Sequence, residues 1–176
     1  ADAGFASLKL NTVVAAGENE RELGDLARFA WRHGAIARFI ELMPFGRGRP
    51  VPVADMQRLL AAQGVRLVPD ATRGWGPARH MRGAGEDGGR QVSGLVGFIG
   101  ALTENFCREC NRVRVGADGS LRACLGGRAE VPLAGLLRGG APEEAIAGRI
   151  RGALLAKGER HEMPGHAPLP MAGIGG

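Results

Sequence analysis

LKLNTVVAAGENERELGDLARFAWRHGAIARFIELM, residues 8–43, reads as strand, helix, strand. Leu8 to Val14 is a short β-rich run. Asn19 with Glu22 three residues on makes a capping-box pattern, and Leu23, Leu26, Ala27 and Ala30 then recur at helical spacing. Gly34 suits the stop after that helix, and Ile36 to Met43 forms a second strand. Strands alternating with helices imply the βα units of a parallel sheet, so the fold class is α/β. Only about two such units are present, too few to close a barrel or to build a doubly wound sheet.

Outward from this stretch, Pro44 to Pro52 is a Gly/Pro/Arg loop and a natural boundary. It divides the chain into 1–50 and 51–176. Ala54 to Gln63 has a helical pattern ended by Gly64, and strand and turn signals run through Val68, Met81 and Val92 to Ile99. A last helix is predicted from Pro142 to Lys157, with Glu143 and Glu144 at its positive end and Gly158 after it. Residues 158–176, rich in Pro and Gly, are expected to be an irregular tail.

The 176 residues are 44% hydrophobic with charges well mixed among them, which indicates a globular chain. A net charge of +5 suits a phosphorylated partner. Six Phe, two Trp and no Tyr are too few for a platform that stacks single-stranded nucleic acid, so a small phosphorylated molecule is the better expectation. No apolar run reaches about 18 residues, so no membrane span is expected. The first residues carry no signal-peptide pattern. Three cysteines, two of them close together, suit a reducing compartment, and a cytoplasmic location is expected.

The chemistry concentrates in NFCRECNRVRVGADGSLRACL, residues 105–125. Cys107 and Cys110 form C-x2-C, whose thiolates can converge on one metal centre, and Cys124 follows after thirteen intervening residues. A structural zinc site needs a fourth ligand, and His33, His80, His161 and His166 all lie far along the chain. From spacing alone zinc, an iron–sulfur cluster and unliganded cysteines all stay open. Arg112 and Arg114 alternate with Val113 and Val115, so in a strand both guanidiniums share one face while the valines pack on the other. Two planar forks on one face suit a polyphosphate; the plainer alternative is the solvated edge of a hairpin. Asp118-Gly119 marks the turn. A two-residue loop would set Cys124 opposite Val113. A three-residue loop, Ala117 to Gly119, pairs Gly116 with Ser120 and sets Cys124 opposite Arg112, and it is preferred if cysteines and arginines serve one ligand.

With these residues in view, the run GLVGFIGALTENFCRECNRVRV, residues 94–115, followed by LRACL, resembles the C-terminal cluster motif of the molybdenum-cofactor biosynthesis protein A family. Members of that family are radical S-adenosylmethionine enzymes that act as GTP 3′,8-cyclases. SLKLNTVV, RFIELMPFG and the closing IGG match in the same order, so the resemblance covers essentially the whole chain. It implies the C-terminal part of an incomplete (β/α) TIM-type barrel, followed by an α+β domain that binds a cluster and GTP. It implies that Cys107, Cys110 and Cys124 hold an auxiliary [4Fe–4S] cluster with one open iron for the guanine of GTP. It further implies that Lys9 and the segment Arg112, Val113, Arg114 contact GTP, that Met43 lines the S-adenosylmethionine site, and that Gly175 and Gly176 end a tail that enters the active site. Read alone, Lys9 would be a surface lysine, Met43 a core methionine and the two glycines a frayed end.

No catalytic residue is assigned within the chain. The family's first cluster motif, C-x3-C-x2-C, is absent from it, since no cysteine precedes Cys107. The expected partner is therefore an N-terminal radical half, and this portion would position GTP without cleaving S-adenosylmethionine; a homodimer is also allowed. Ala123 stands where the family has proline, and His80 and Met81 stand where it has an aromatic pair. The rival readings are a non-catalytic GTP-binding module and a zinc-stabilised structural domain.

Overall fold

The opening stretch folds into β1 (Leu8–Ala16), α1 (Leu23–Arg32) and β2 (Ala35–Glu41). The computed structural model describes residues 4–44, 48–71, 76–127 and 129–159. β1 and β2 are parallel, with Leu8 opposite Ala35 and Val14 opposite Glu41. The side of α1 bearing Leu23, Ala27, Ala30 and Trp31 is buried in a core shared with Val14, Phe39 and Phe98. Asn19 does not cap this helix, contrary to the capping-box expectation. Its Oδ1 accepts from Ala15 N at 3.0 Å and its Nδ2 donates to Val13 O at 2.8 Å. The carboxamide is thus used up closing the loop after β1, and α1 starts later, behind Glu22, which has no side-chain cap bond.

Then follow β3 (Arg49–Pro50), α2 (Val53–Ala62), β4 (Arg66–Pro69), β5 (Arg79–Asp87) and β6 (Arg90–Ile99). The six strands form one mixed sheet in the order β3-β1-β2-β6-β5-β4. β6 runs parallel to β2, with Ala37 opposite Val96, and antiparallel to β5. Gly88 and Gly89, both at positive φ, make the two-residue turn between β5 and β6. Gly83 and Gly94 are paired across these strands because the Trp31 indole lies over them; an added Cβ at either would run into its ring. The indole Nε1 donates to Leu95 O at 3.2 Å.

Two compact units result, one spanning 1–43 and 48–106, the other 44–47 and 107–176. They part at Phe106 and Cys107, not at the boundary between 50 and 51 read from the sequence. The physical reason is the return of β6, which lies hydrogen-bonded between β2 and β5 and so binds residues 90–99 into the first sheet.

The second unit holds a 3-10 turn (Cys107–Glu109), then β7 (Arg114–Val115), β8 (Ser120–Arg122) and β9 (Val131–Pro132) in a three-stranded antiparallel sheet. α3 (Ala134–Arg138) and α4 (Glu143–Leu155) complete it. Pro142 precedes α4 as its cap residue, where no backbone N–H is required. No helix among the described residues is long and apolar enough to cross a membrane. The molecule is an α/β protein, as its alternating pattern implies.

Candidate functional site

In the second unit the C-x2-C stretch folds as a tight turn, closed by Cys110 N donating to Cys107 O at 3.2 Å. Cys107, Cys110 and Cys124 are in no disulfide, and all are half-buried. Burial pushes the Cys110 thiol up, but hydrogen bonds from the Arg112 backbone and side chain and from Lys157, with the Arg112 charge, outweigh it. The thiol is held below its ordinary range. Lys157 Nζ lies 2.9 Å from Cys110 O, 3.4 Å from Cys110 Sγ and 3.0 Å from Arg112 O.

The hairpin that follows has the three-residue loop. Arg114 is opposite Arg122 and Val115 opposite Leu121. Gly116 N donates to Ser120 O at 2.8 Å, and Gly119 N to Gly116 O at 2.9 Å. Gly119 sits at φ +77, in the left-handed region that closes such a loop. Asp118 Oδ1 accepts from Ser120 N at 3.0 Å and from its Oγ at 2.8 Å. The hydrogen bonds from Ser120 hold this carboxyl below its ordinary range. At the loop tip, Leu133 N donates to Gly119 O at 2.9 Å and ties the hairpin to the start of α3.

Two expectations about this hairpin are corrected. The ladder begins only at Arg114, so the alternation of Arg112 with Arg114 is not a strand alternation along its whole length. Val113 and Val115 do not pack beneath the arginines; they are 42% and 59% exposed, Val115 on the edge strand of the three-stranded sheet and Val113 just before it. Leu121, on the partner strand, is the buried residue. Arg122 is buried too, donating to Gly127 O at 2.8 Å and pairing with Glu130.

As a donor set, three cysteines outside any disulfide within one compact unit fit an iron–sulfur cluster or zinc by their chemistry. Among the described residues, however, no three His, Cys, Asp or Glu side chains stand together as a metal-binding group. The ligand types are therefore present without a closed ligand sphere.

In the first unit, Lys9 and Asn11 are exposed on β1. Lys9 pairs with Ile36, and Asn11 pairs with Arg38, which pairs with Gly97 of β6, itself opposite His80 of β5. These residues lie on the sheet face away from α1, since the alternate residues Ala37, Phe39 and Val96 are the ones in the core. Gly97 leaves room for its neighbour: a Cβ there would stand 3.1 Å from Arg38 Cγ. Arg38 was not singled out by the sequence reading, although a lone charge at an alternating position of IARFI was the available signal. Met43, half-buried, follows the carboxyl end of β2. Just before it, the buried Glu41 accepts from Leu102 N at 2.7 Å and Thr103 N at 2.9 Å, tying the carboxyl end of β2 to the turn after β6. Lys9 and Met43 lie toward opposite ends of the β1–β2 pair. Gly175 and Gly176 lie outside the described residues.

Residues 35–163 match the family described as Molybdenum Cofactor Synthesis C. Among curated proteins, the chain is 41% identical over 180 residues to the GTP 3′,8-cyclase of Heliobacterium modesticaldum, covering 96% of this chain and 53% of that protein. It is 40% identical to the GTP 3′,8-cyclase of Pelotomaculum thermopropionicum, over 92% of this chain and 50% of that protein. The enzyme of the same name from Moorella thermoacetica is 38% identical, over 99% of this chain and 54% of its own length. The chain thus spans about half the length of the curated relatives it matches.

Proposed function

The chain belongs to the Molybdenum Cofactor Synthesis C family, and from that premise we propose that it is the C-terminal portion of a GTP 3′,8-cyclase, the portion that holds and orients GTP. The intact enzyme converts GTP to (8S)-3′,8-cyclo-7,8-dihydroguanosine 5′-triphosphate on the way to molybdenum cofactor, using S-adenosylmethionine and a radical made in its N-terminal half. On this reading the first unit is the end of an incomplete (β/α) barrel, and the second unit is the cluster- and GTP-binding domain.

Cys107, Cys110 and Cys124 would hold an auxiliary [4Fe–4S] cluster. When bound, such a cluster with three thiolate ligands offers one iron with an open position for the guanine base. The chain's own residues supply the rest. Arg112 and Arg114 bring guanidinium forks for phosphate oxygens, with Val113 between them as part of the same contacting segment. Lys9 adds a compact cation, and Arg38 adds a guanidinium on the same sheet face. Met43 gives a soft apolar wall for S-adenosylmethionine. Gly175 and Gly176 would end a tail slender enough to enter the site. Holding base and triphosphate at separate places limits the poses of the ribose between them, which is how positioning lowers a barrier without a catalytic side chain.

The observation that supports this most is the hairpin register. The three-residue loop closed by Gly119 sets Arg114 opposite Arg122, two residues before Cys124, so arginines and cysteines belong to one local stretch of the second unit. Anaerobic reconstitution tests it: about four irons and four sulfides per chain are expected, lost in air and lost when any one of the three cysteines is replaced by Ala. Stoichiometric zinc without sulfide would overturn it in favour of a structural metal.

A further inference from the structure

Lys157 follows α4 by two residues, and its backbone N donates to Leu154 O at 3.1 Å, so the last turn of the helix fixes where it starts. Its side chain is half-buried and reaches the cysteine turn. An ammonium has three N–H donors and accepts nothing. Here three acceptors meet it, and all belong to one turn: Cys110 O, Cys110 Sγ and Arg112 O. A solvated surface lysine would leave most of its donors to water. One residue pair further along, Arg108 and Glu159 make an ion pair at 3.1 Å, which is exposed on both sides and adds little.

We propose that Lys157 is a positioning residue of the cysteine turn, clamping the Cys110 and Arg112 carbonyls together and setting a cation against the Cys110 sulfur. The two carbonyls flank Asn111, so the clamp fixes the link between a metal-ligand cysteine and the first phosphate-contacting arginine. The proposal rests on the reading of the cysteines as cluster ligands. Under that reading it has an electrical consequence as well. Reduction of the centre adds negative charge beside the ammonium, and a hydrogen bond to a ligand sulfur stabilises that charge, so Lys157 raises the midpoint potential.

The two claims separate in one set of variants. In the metal-free chain, Lys157→Met should shift the amide NMR resonances of Asn111 and Val113, whose N–H groups share peptide units with the clamped carbonyls. Resonances of the β5–β6 hairpin should stay in place. Unmoved Asn111 and Val113 signals overturn the clamp whatever the metal content. After anaerobic reconstitution with iron and sulfide, Lys157→Met should show a more negative midpoint potential than the wild type, and Lys157→Arg, which keeps the cation and its donors, should recover most of the shift. Equal potentials in wild type and Lys157→Met overturn the electrical role. A wild-type chain that takes up no iron and sulfide overturns the cluster reading and the potential with it, and the metal-free resonances then decide the clamp alone.

Discussion

Across β7 and β8, Arg114 faces Arg122, and two guanidiniums directly opposed on one sheet face repel. Glu130 offsets this on the Arg122 side, where the guanidinium is buried and also holds Gly127 O. The two arginines should therefore respond oppositely to truncation. Arg122→Ala removes a buried charged hydrogen bond and should cost about 1.5–3 kcal/mol of stability, read as a shift in urea midpoint. Arg114→Ala should leave stability within about 0.5 kcal/mol and weaken GTP by about 1.5–3 kcal/mol. Guanosine, with no phosphates to lose, should be weakened much less. Calorimetric titration of both ligands checks this, and an equal loss for guanosine would remove Arg114 from the phosphate site.

At the scale of the element, the hairpin loop depends on a carboxylate and a glycine. Asp118 accepts two hydrogen bonds from Ser120 that favour its charged form, so its folded pKa is lowered relative to the unfolded chain. A lowered carboxyl stabilises the fold above its unfolded value and loses that contribution as pH falls through the folded value. The second unit should accordingly soften as pH falls below the ordinary Asp value of 3.8, and Asp118→Asn should flatten that part of the profile. Thermal unfolding between pH 6 and pH 3, followed in both chains, reads the difference; identical slopes would remove Asp118 from the pH response. Gly119 is required for two separate reasons, its φ of +77 and an Ala134 Cβ only 2.6 Å from where a side chain would begin. In the β5–β6 hairpin, Gly88 and Gly89 answer only the first of these needs, a positive φ. Its strand β5, RHMRGAGED, was faint in sequence because two of its inward positions are glycines making room for Trp31 and for the Gly64 backbone.

For the molecule as a whole, the cysteine content sets the expected behaviour of this chain on its own. All three cysteines belong to the candidate site, leaving none to hold a second centre. The isolated chain should bind GTP and form no cyclised product, even with S-adenosylmethionine and a strong reductant. Product analysis by liquid chromatography after anaerobic incubation tests this, and detectable cyclisation by the chain alone would contradict the assignment of the radical step to the N-terminal half.

By itself the sequence determined the α/β class, the strand–helix–strand opening and the helix after Pro142, because each rests on local rules, periodicity and a cap proline; it marked Asp118-Gly119 as a turn, and the strand pairing decided the three-residue loop. It also marked the three thiols and the arginines beside them, since a motif is a statement about neighbours in the chain. What only the tertiary structure decided are relations between distant segments. The return of β6 beside β2 set the unit boundary, the Ala15 amide and the Val13 carbonyl at the end of β1 took Asn19 away from α1, and the edge position of β7 left Val115 exposed. Glu41, Arg38 and Lys157 gained their roles in the same way. Each acts on atoms tens of residues away, and no local pattern encodes which backbone amide, glycine gap or carbonyl pair a long polar side chain will meet once the sheet and helices are packed.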